Sequence, residues 1–252
     1  NIIKYFGHVE NRNLYLIILE YGTGDLDKYI PTLHENHSNN NYKDTRSIVL
    51  GMAKALLHLK EMNISHRDIK PGNYIMGVDG NVKLIDFGLS TKCPGTDGYE
   101  KSGVQFSADI FSNPPKALIN QGTIFYIGPE FYDMDGEGNY KQNIGNTIPN
   151  DPFALGICIL QFFYDKEPTR LRNGIQYGIN FQSIEKRLNK NFPTPTDKYV
   201  NLEELYKAIN THLFNGTPEF IQGILNEDSE ERISIEDVVK KLEETNLGGV
   251  GK

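Results

Sequence analysis

β-Rich runs open the chain and apolar positions recur at helical spacing behind, so strands are expected first and helices afterwards. Two β-rich runs, residues 4–10 and 14–20, flank the turn Asn11-Arg12-Asn13 and predict a hairpin. Residues 21–24 form a Gly-containing connector, and Asp25 opens a short helix that ends before Pro31. Residues 31–44 are polar and Asn-rich, the signature of a solvated loop. Ile48, Met52, Ala55, Leu56, Leu59 and Met62 then recur three or four apart, which predicts one amphipathic helix of roughly five turns.

Short strands follow. Residues 73–76 and 82–85 read as strands joined by the turn Val78-Asp79-Gly80-Asn81. Residues 86–130 are rich in Gly, Ser and Pro without periodicity, a length that normally marks a functional loop. The remainder is helical. Residues 152–164 are apolar nearly all round and predict a buried central helix. Residues 201–212, 218–226 and 234–244 are amphipathic, with Ser234 and Asp237 placed for a capping box. Strands segregated from helices indicate an α+β fold rather than an alternating parallel sheet.

Composition narrows the classes. A chain of 252 residues accommodates one large domain or two small lobes. Its net charge of −7 argues against a nucleic-acid partner. The two cysteines, Cys93 and Cys158, lie far apart with no CxxC pair, which excludes a disulfide framework or structural zinc as the organising principle. Cys158 falls in the apolar helix, where packing is its expected role, and Cys93 in the irregular stretch. No apolar run is long enough to span a bilayer and no signal peptide is visible, so the expected location is cytoplasmic.

The chemistry concentrates in His66-Arg67-Asp68-Ile69-Lys70-Pro71-Gly72-Asn73, behind a helix and ahead of a hairpin that ends in Asp86-Phe87-Gly88. A lone Asp or Asn in a turn is ordinarily a capping residue. The two triplets together, in this order and at this separation, resemble the catalytic loop and metal-binding segment of eukaryotic-type serine/threonine protein kinases. Gly122-Thr123-Ile124-Phe125-Tyr126-Ile127-Gly128-Pro129-Glu130 is similar to the end of a kinase activation segment, with Gly128 where alanine is usual. Asp151-Pro152-Phe153-Ala154-Leu155-Gly156 is similar to the start of the family's central helix, with Phe153 for the common tryptophan.

The resemblance implies a kinase-like fold of mainly the helical large lobe plus a remnant hairpin of the small-lobe sheet. Residues 1–24 would be small lobe and hinge, and residues 25–252 the large lobe, with the activation segment at 86–130. It implies ATP and Mg2+ as cofactors and a protein substrate. Asp68 would accept the substrate hydroxyl proton, Lys70 would reach the γ-phosphate, and Asn73 and Asp86 would supply oxygen ligands for magnesium. Lys70 two residues after Asp68, with Thr123 able to bond both, implies serine/threonine specificity.

For the nucleotide, the resemblance places Leu19 as gatekeeper, Glu20, Tyr21 and Gly22 in the hinge, Asp25 at a ribose hydroxyl and Ile75 beneath the adenine ring. His66 would pack near Phe87, Asp151 would hold the catalytic-loop backbone, and Arg232 would pair with Glu130. Arg67 implies control by a phosphate on the activation segment, where Ser90, Thr91, Thr96, Ser102, Ser107 and Ser112 are candidates.

The chain opens at Asn1, so the Gly-rich loop, the phosphate-gripping lysine and its glutamate partner would lie upstream. An insertion over about residues 133–150 is expected to form surface loops. The alternative the residues leave open is a catalytically silent, kinase-like scaffold held in a larger protein assembly.

Overall fold

The computed structural model describes residues 1–12, 14–92, 126, 128, 150–164 and 201–247. The hairpin forms as expected: β1 (Tyr5–Asn11) pairs antiparallel with β2 (Leu14–Leu19), Tyr5 opposite Leu19 and Asn11 opposite Leu14. The expected connector is instead a strand. β3 (Gly22–Asp25) pairs with β5 (Tyr74–Gly77), which pairs with β6 (Val82–Leu84). Gly22 presents no side chain, and that absence lets the backbone close on Ile75: a Cβ on Gly22 would come within 2.5 Å of Ile75 Cδ1. Within the long irregular stretch, β7 (Thr91–Lys92) pairs with β4 (Ile64–Ser65).

Asp25 caps a 3-10 turn, Leu26–Tyr29, by accepting the Lys28 N–H at 3.2 Å. The expected loop over residues 31–44 is corrected here, because α1 (Ile30–Ser38) occupies most of it. Pro31 falls in the first helical turn, where its missing N–H costs nothing. The inner face is Ile30, Leu33, His34 and His37, at i, i+3, i+4 and i+7. Two of those four are histidines, so an apolar count does not register the stripe. Leu33 is buried, His34 Nε2 lies 3.1 Å from the Gln161 carbonyl, and His37 packs on Phe163.

The core is helical. α2 (Lys43–Glu61) runs just over five turns, and its apolar face meets α3 (Asp151–Phe163). Every residue of α3 from 153 to 160 is buried, which explains the lack of an apolar stripe in its sequence. α4 (Leu202–Leu213) is capped by Asn201, and α5 (Phe220–Ile224) is shorter than expected. α6 (Ile235–Leu247) starts at Ser234, whose Oγ accepts the Asp237 N–H at 3.2 Å and donates to its carboxylate at 2.7 Å. The expected capping box is therefore present, with its return bond made to the serine hydroxyl instead of its backbone N–H. Cys158 is buried in α3, and burial pushes its thiol well up, as a packing role requires. Cys93 lies outside the described residues.

The fold is α+β: small antiparallel sheets beside a helical body. No helix among the described residues is long and apolar enough to cross a membrane.

Candidate active site

The segment between α2 and β5 is held by a buried carboxylate. Asp151, the first residue of α3, accepts the backbone N–H of His66 at 2.7 Å, that of Arg67 at 2.9 Å, and the Ser65 hydroxyl at 3.2 Å. Burial raises its pKa, and the two backbone donors oppose that rise. The bond to Arg67 falls where the backbone is left-handed, at φ 69°, a conformation that a non-glycine residue keeps only when its surroundings enforce it. His66 is buried, its Nε2 lies 3.0 Å from the Ile85 carbonyl, and its ring meets Phe87 edge-on at 5.1 Å. The packing expected of His66 is observed.

This anchoring turns Asp68 inward, where its side chain is 10% exposed. Its two oxygens differ. Oδ2 receives Lys70 Nζ at 2.8 Å and Asn73 Nδ2 at 2.8 Å, while buried Oδ1 has no hydrogen-bond partner among the described residues. Asn73 Nδ2 also donates to the Asp68 carbonyl at 2.7 Å. Its amide nitrogen being spent on Asp68, its Oδ1 is the end left to serve as a ligand.

The Ile85 N–H donates to the Asn73 carbonyl at 2.9 Å, so the β5–β6 hairpin brings Asp86 beside Asn73. Asp86 is exposed at φ 61°, and its Oδ1 accepts the Gly88 N–H at 3.2 Å. Two oxygen donors from adjacent strand ends fit magnesium, which takes one or two protein carboxylates and completes its shell with water and phosphate oxygens. No group of three His, Cys, Asp or Glu side chains clusters among the described residues.

The residues expected around the nucleotide divide. Asp25 and Ile75 are register partners across β3 and β5, with Gly22 packed on Ile75. The Asp25 carboxylate is engaged locally, 2.9 Å from Lys28 Nζ, which holds its pKa down. Leu19 is 45% exposed at the end of β2 and is not a core residue. Glu20 is bound by Lys83, whose Nζ lies 3.1 Å from Glu20 and 3.0 Å from Asp79. Lys83, nearly buried on β6, thus ties the connector at Glu20 to the hairpin beneath it. The expectations for these residues did not include Lys83. A lysine at an inward position of a strand was the available signal.

Asp27 was also missed. It faces the loop carrying Asp68 closely enough that a Cβ on Gly72 would meet its Oδ2 at 2.9 Å. Burial raises its pKa, the Asp25 charge adds to the rise, and Lys70 opposes it.

Thr123 and Glu130 lie outside the described residues, as do Thr96, Ser102, Ser107 and Ser112. Arg232 donates to the Asn226 carbonyl from Nε at 3.1 Å and Nη2 at 2.9 Å, and lies 5.0 Å from the Phe153 ring centroid. Ser90 Oγ donates to the His66 carbonyl at 3.4 Å. Asn150, at the end of the insertion expected to be surface loop, is buried instead, because its side chain bonds the backbone at Tyr126 and Gly128.

The protein kinase domain family model matches residues 1–242. The chain belongs to the protein kinase domain family. It is 26% identical over 259 residues to an Aurora kinase of Dictyostelium discoideum, covering 98% of this chain and 54% of that protein. It is similar also to serine/threonine-protein kinase tousled-like 1 of Homo sapiens, 29% identical over 200 residues, 76% of this chain and 23% of the relative. An Aurora kinase of Encephalitozoon cuniculi is 26% identical over 190 residues, 75% of this chain and 57% of its own length. The kinase-domain chain thus spans about a quarter to just over half the length of these relatives.

Proposed function

We propose that the chain carries the catalytic loop of an ATP- and magnesium-dependent serine/threonine protein kinase. The observation that carries this reading is the asymmetry of Asp68. Lys70 and Asn73 fix one carboxylate oxygen, and the other is buried without a partner among the described residues. A buried acceptor left unpaired costs about 1–3 kcal/mol, so an arriving hydroxyl donor repays its own binding.

In the proposed step, Asp68 Oδ1 accepts the proton of a serine or threonine hydroxyl as its oxygen bonds the γ-phosphorus of ATP, and ADP leaves. Lys70 Nζ bonds Asp68 Oδ2 at 2.8 Å and places positive charge beside the transferring group. Asn73 Oδ1 and the Asp86 carboxylate would hold magnesium, which supplies charge neutralisation on the phosphates. An adenine edge would meet the backbone near Gly22, Leu19 stands at the exposed end of β2, and Ile75, packed on Gly22, lies beneath. Asp25 offers a carboxylate oxygen to a ribose hydroxyl. Lys70 at two residues past Asp68, and the names of the tousled-like relatives, favour serine and threonine over tyrosine.

The test is phosphoryl transfer from labelled ATP by the full-length protein, with phosphoamino-acid analysis of a mixed peptide library. Asp68→Ala should lower kcat by at least about a hundredfold. Equal rates in wild type and variant would overturn the assignment, and label on tyrosine alone would overturn the specificity.

A further inference from the structure

Asparagine immediately before a helix ordinarily caps it, its side-chain oxygen accepting an N–H of the first turn. Asn150 stands at that place before α3, and its side chain makes no such bond. Only its backbone carbonyl serves the helix, accepting from Ala154 N at 3.0 Å. The side-chain amide faces the other way. Its Oδ1 accepts the Gly128 N–H and its Nδ2 donates to the Tyr126 carbonyl at 3.2 Å. One amide therefore bonds the carbonyl of one residue and the N–H of the next but one, the pattern that a neighbouring β-strand makes. Asn150 is 5% exposed, so neither bond competes with bulk water.

The neighbour, Asp151, grips the catalytic loop at Ser65, His66 and Arg67. Consecutive residues at one helix end thus hold two separate segments, the loop that carries Asp68 and the backbone at 126–128. A second attachment lies farther along α3, where Tyr126 Oη donates to Gln161 Oε1 at 2.8 Å. Burial pushes the Tyr126 phenol up, so it stays a donor throughout the neutral range.

We propose that Asn150 is a positioning residue that sets the register of the backbone at Tyr126 and Gly128 against the catalytic loop, and thereby sets affinity for the protein substrate while leaving ATP affinity alone. The inference rests on the kinase reading above, in which the substrate hydroxyl meets Asp68 and residues 122–130 end the activation segment. The nucleotide residues Gly22, Asp25 and Ile75 lie on β3 and β5 and share no bond with Asn150.

The experiment compares full-length wild type, Asn150→Ala, Asn150→Asp and Tyr126→Phe in steady-state kinetics against a peptide substrate and ATP separately, with amide hydrogen exchange at Gly128. Asn150→Ala should raise the peptide KM about ten- to thirtyfold, from two lost hydrogen bonds. Its ATP KM should stay within about twofold, and exchange at Gly128 should quicken. Asn150→Asp, which keeps the acceptor for Gly128 and loses the donor to Tyr126, should fall between. Tyr126→Phe leaves Asn150 untouched and should show the same split in smaller measure, which keeps the test open if Asn150→Ala does not fold. An unchanged peptide KM, or peptide and ATP KM rising together, overturns the proposal while Asp68-dependent transfer persists. Loss of Asp68-dependence in the wild type overturns both readings at once.

Discussion

At His37, neutrality is built into the packing. Its ring stacks on Tyr42 at 4.5 Å and meets Phe163 at 4.7 Å, and Nε2 lies 2.6 Å from the Thr45 hydroxyl. Burial pushes its pKa down to about 4, with His34 and His212 adding positive charge nearby. The folded value lies below the ordinary one near 6.5, so the unfolded chain takes up the proton first. Stability should therefore be full above about pH 6.5, fall as pH drops toward 4, and level off below that. A pH series of thermal melts should show this slope in wild type, and His37→Gln should flatten it by a few degrees in Tm across that window. Identical slopes would place the titration elsewhere. Asp68 illustrates the same scale with a different outcome, because its two oxygens are distinguished only by which donors the fold delivers to them.

The short strands behave as positioning elements more than as a sheet core. β3 has four residues, two of them glycine, and its approach to β5 is set by the bare Cα of Gly22. Gly22→Val should push β3 off Ile75, costing about 1–3 kcal/mol by overpacking and raising the KM for ATP. Thermal melts and nucleotide titrations check the two effects. A stable variant with unchanged ATP KM would remove Gly22 from the nucleotide site. α1 makes a related point about legibility. Its inward stripe was hidden because histidines fill two of four positions, and their packing depends on Gln161 and Phe163, residues distant in sequence, and on Thr45 of the next helix. The α3 helix, by contrast, is continuously apolar and was legible from composition alone.

Taken whole, the described residues form a helical body with a buried core and a projecting hairpin with little. Tyr5, Phe6, Val9, Tyr15 and Ile17 are each more than half exposed on β1 and β2. Exposed apolar area on this scale promotes association. The 252-residue chain should bind a hydrophobic dye and self-associate in light scattering, and Phe6→Lys with Ile17→Lys should reduce both. Dye binding unchanged by that pair would locate the apolar surface on another face.

By itself the sequence determined the β1–β2 hairpin, the helix α2, the buried α3, the Ser234 cap and the clustering of Asp, Lys and Asn around His66 and Asp86. Each of these rests on local spacing, helical or strand period, or on a motif read along the chain. Tertiary structure alone decided which oxygen of Asp68 receives Lys70 and Asn73, that Lys83 ties Glu20 to the hairpin, and that Asn150 turns from its own helix to hold residues 126 and 128. The last two depend on groups brought together across tens of residues, and at Asp68 the donors lie two and five residues away; in each case hydrogen bonding is too short-ranged and directional for periodicity to foretell which atom meets which.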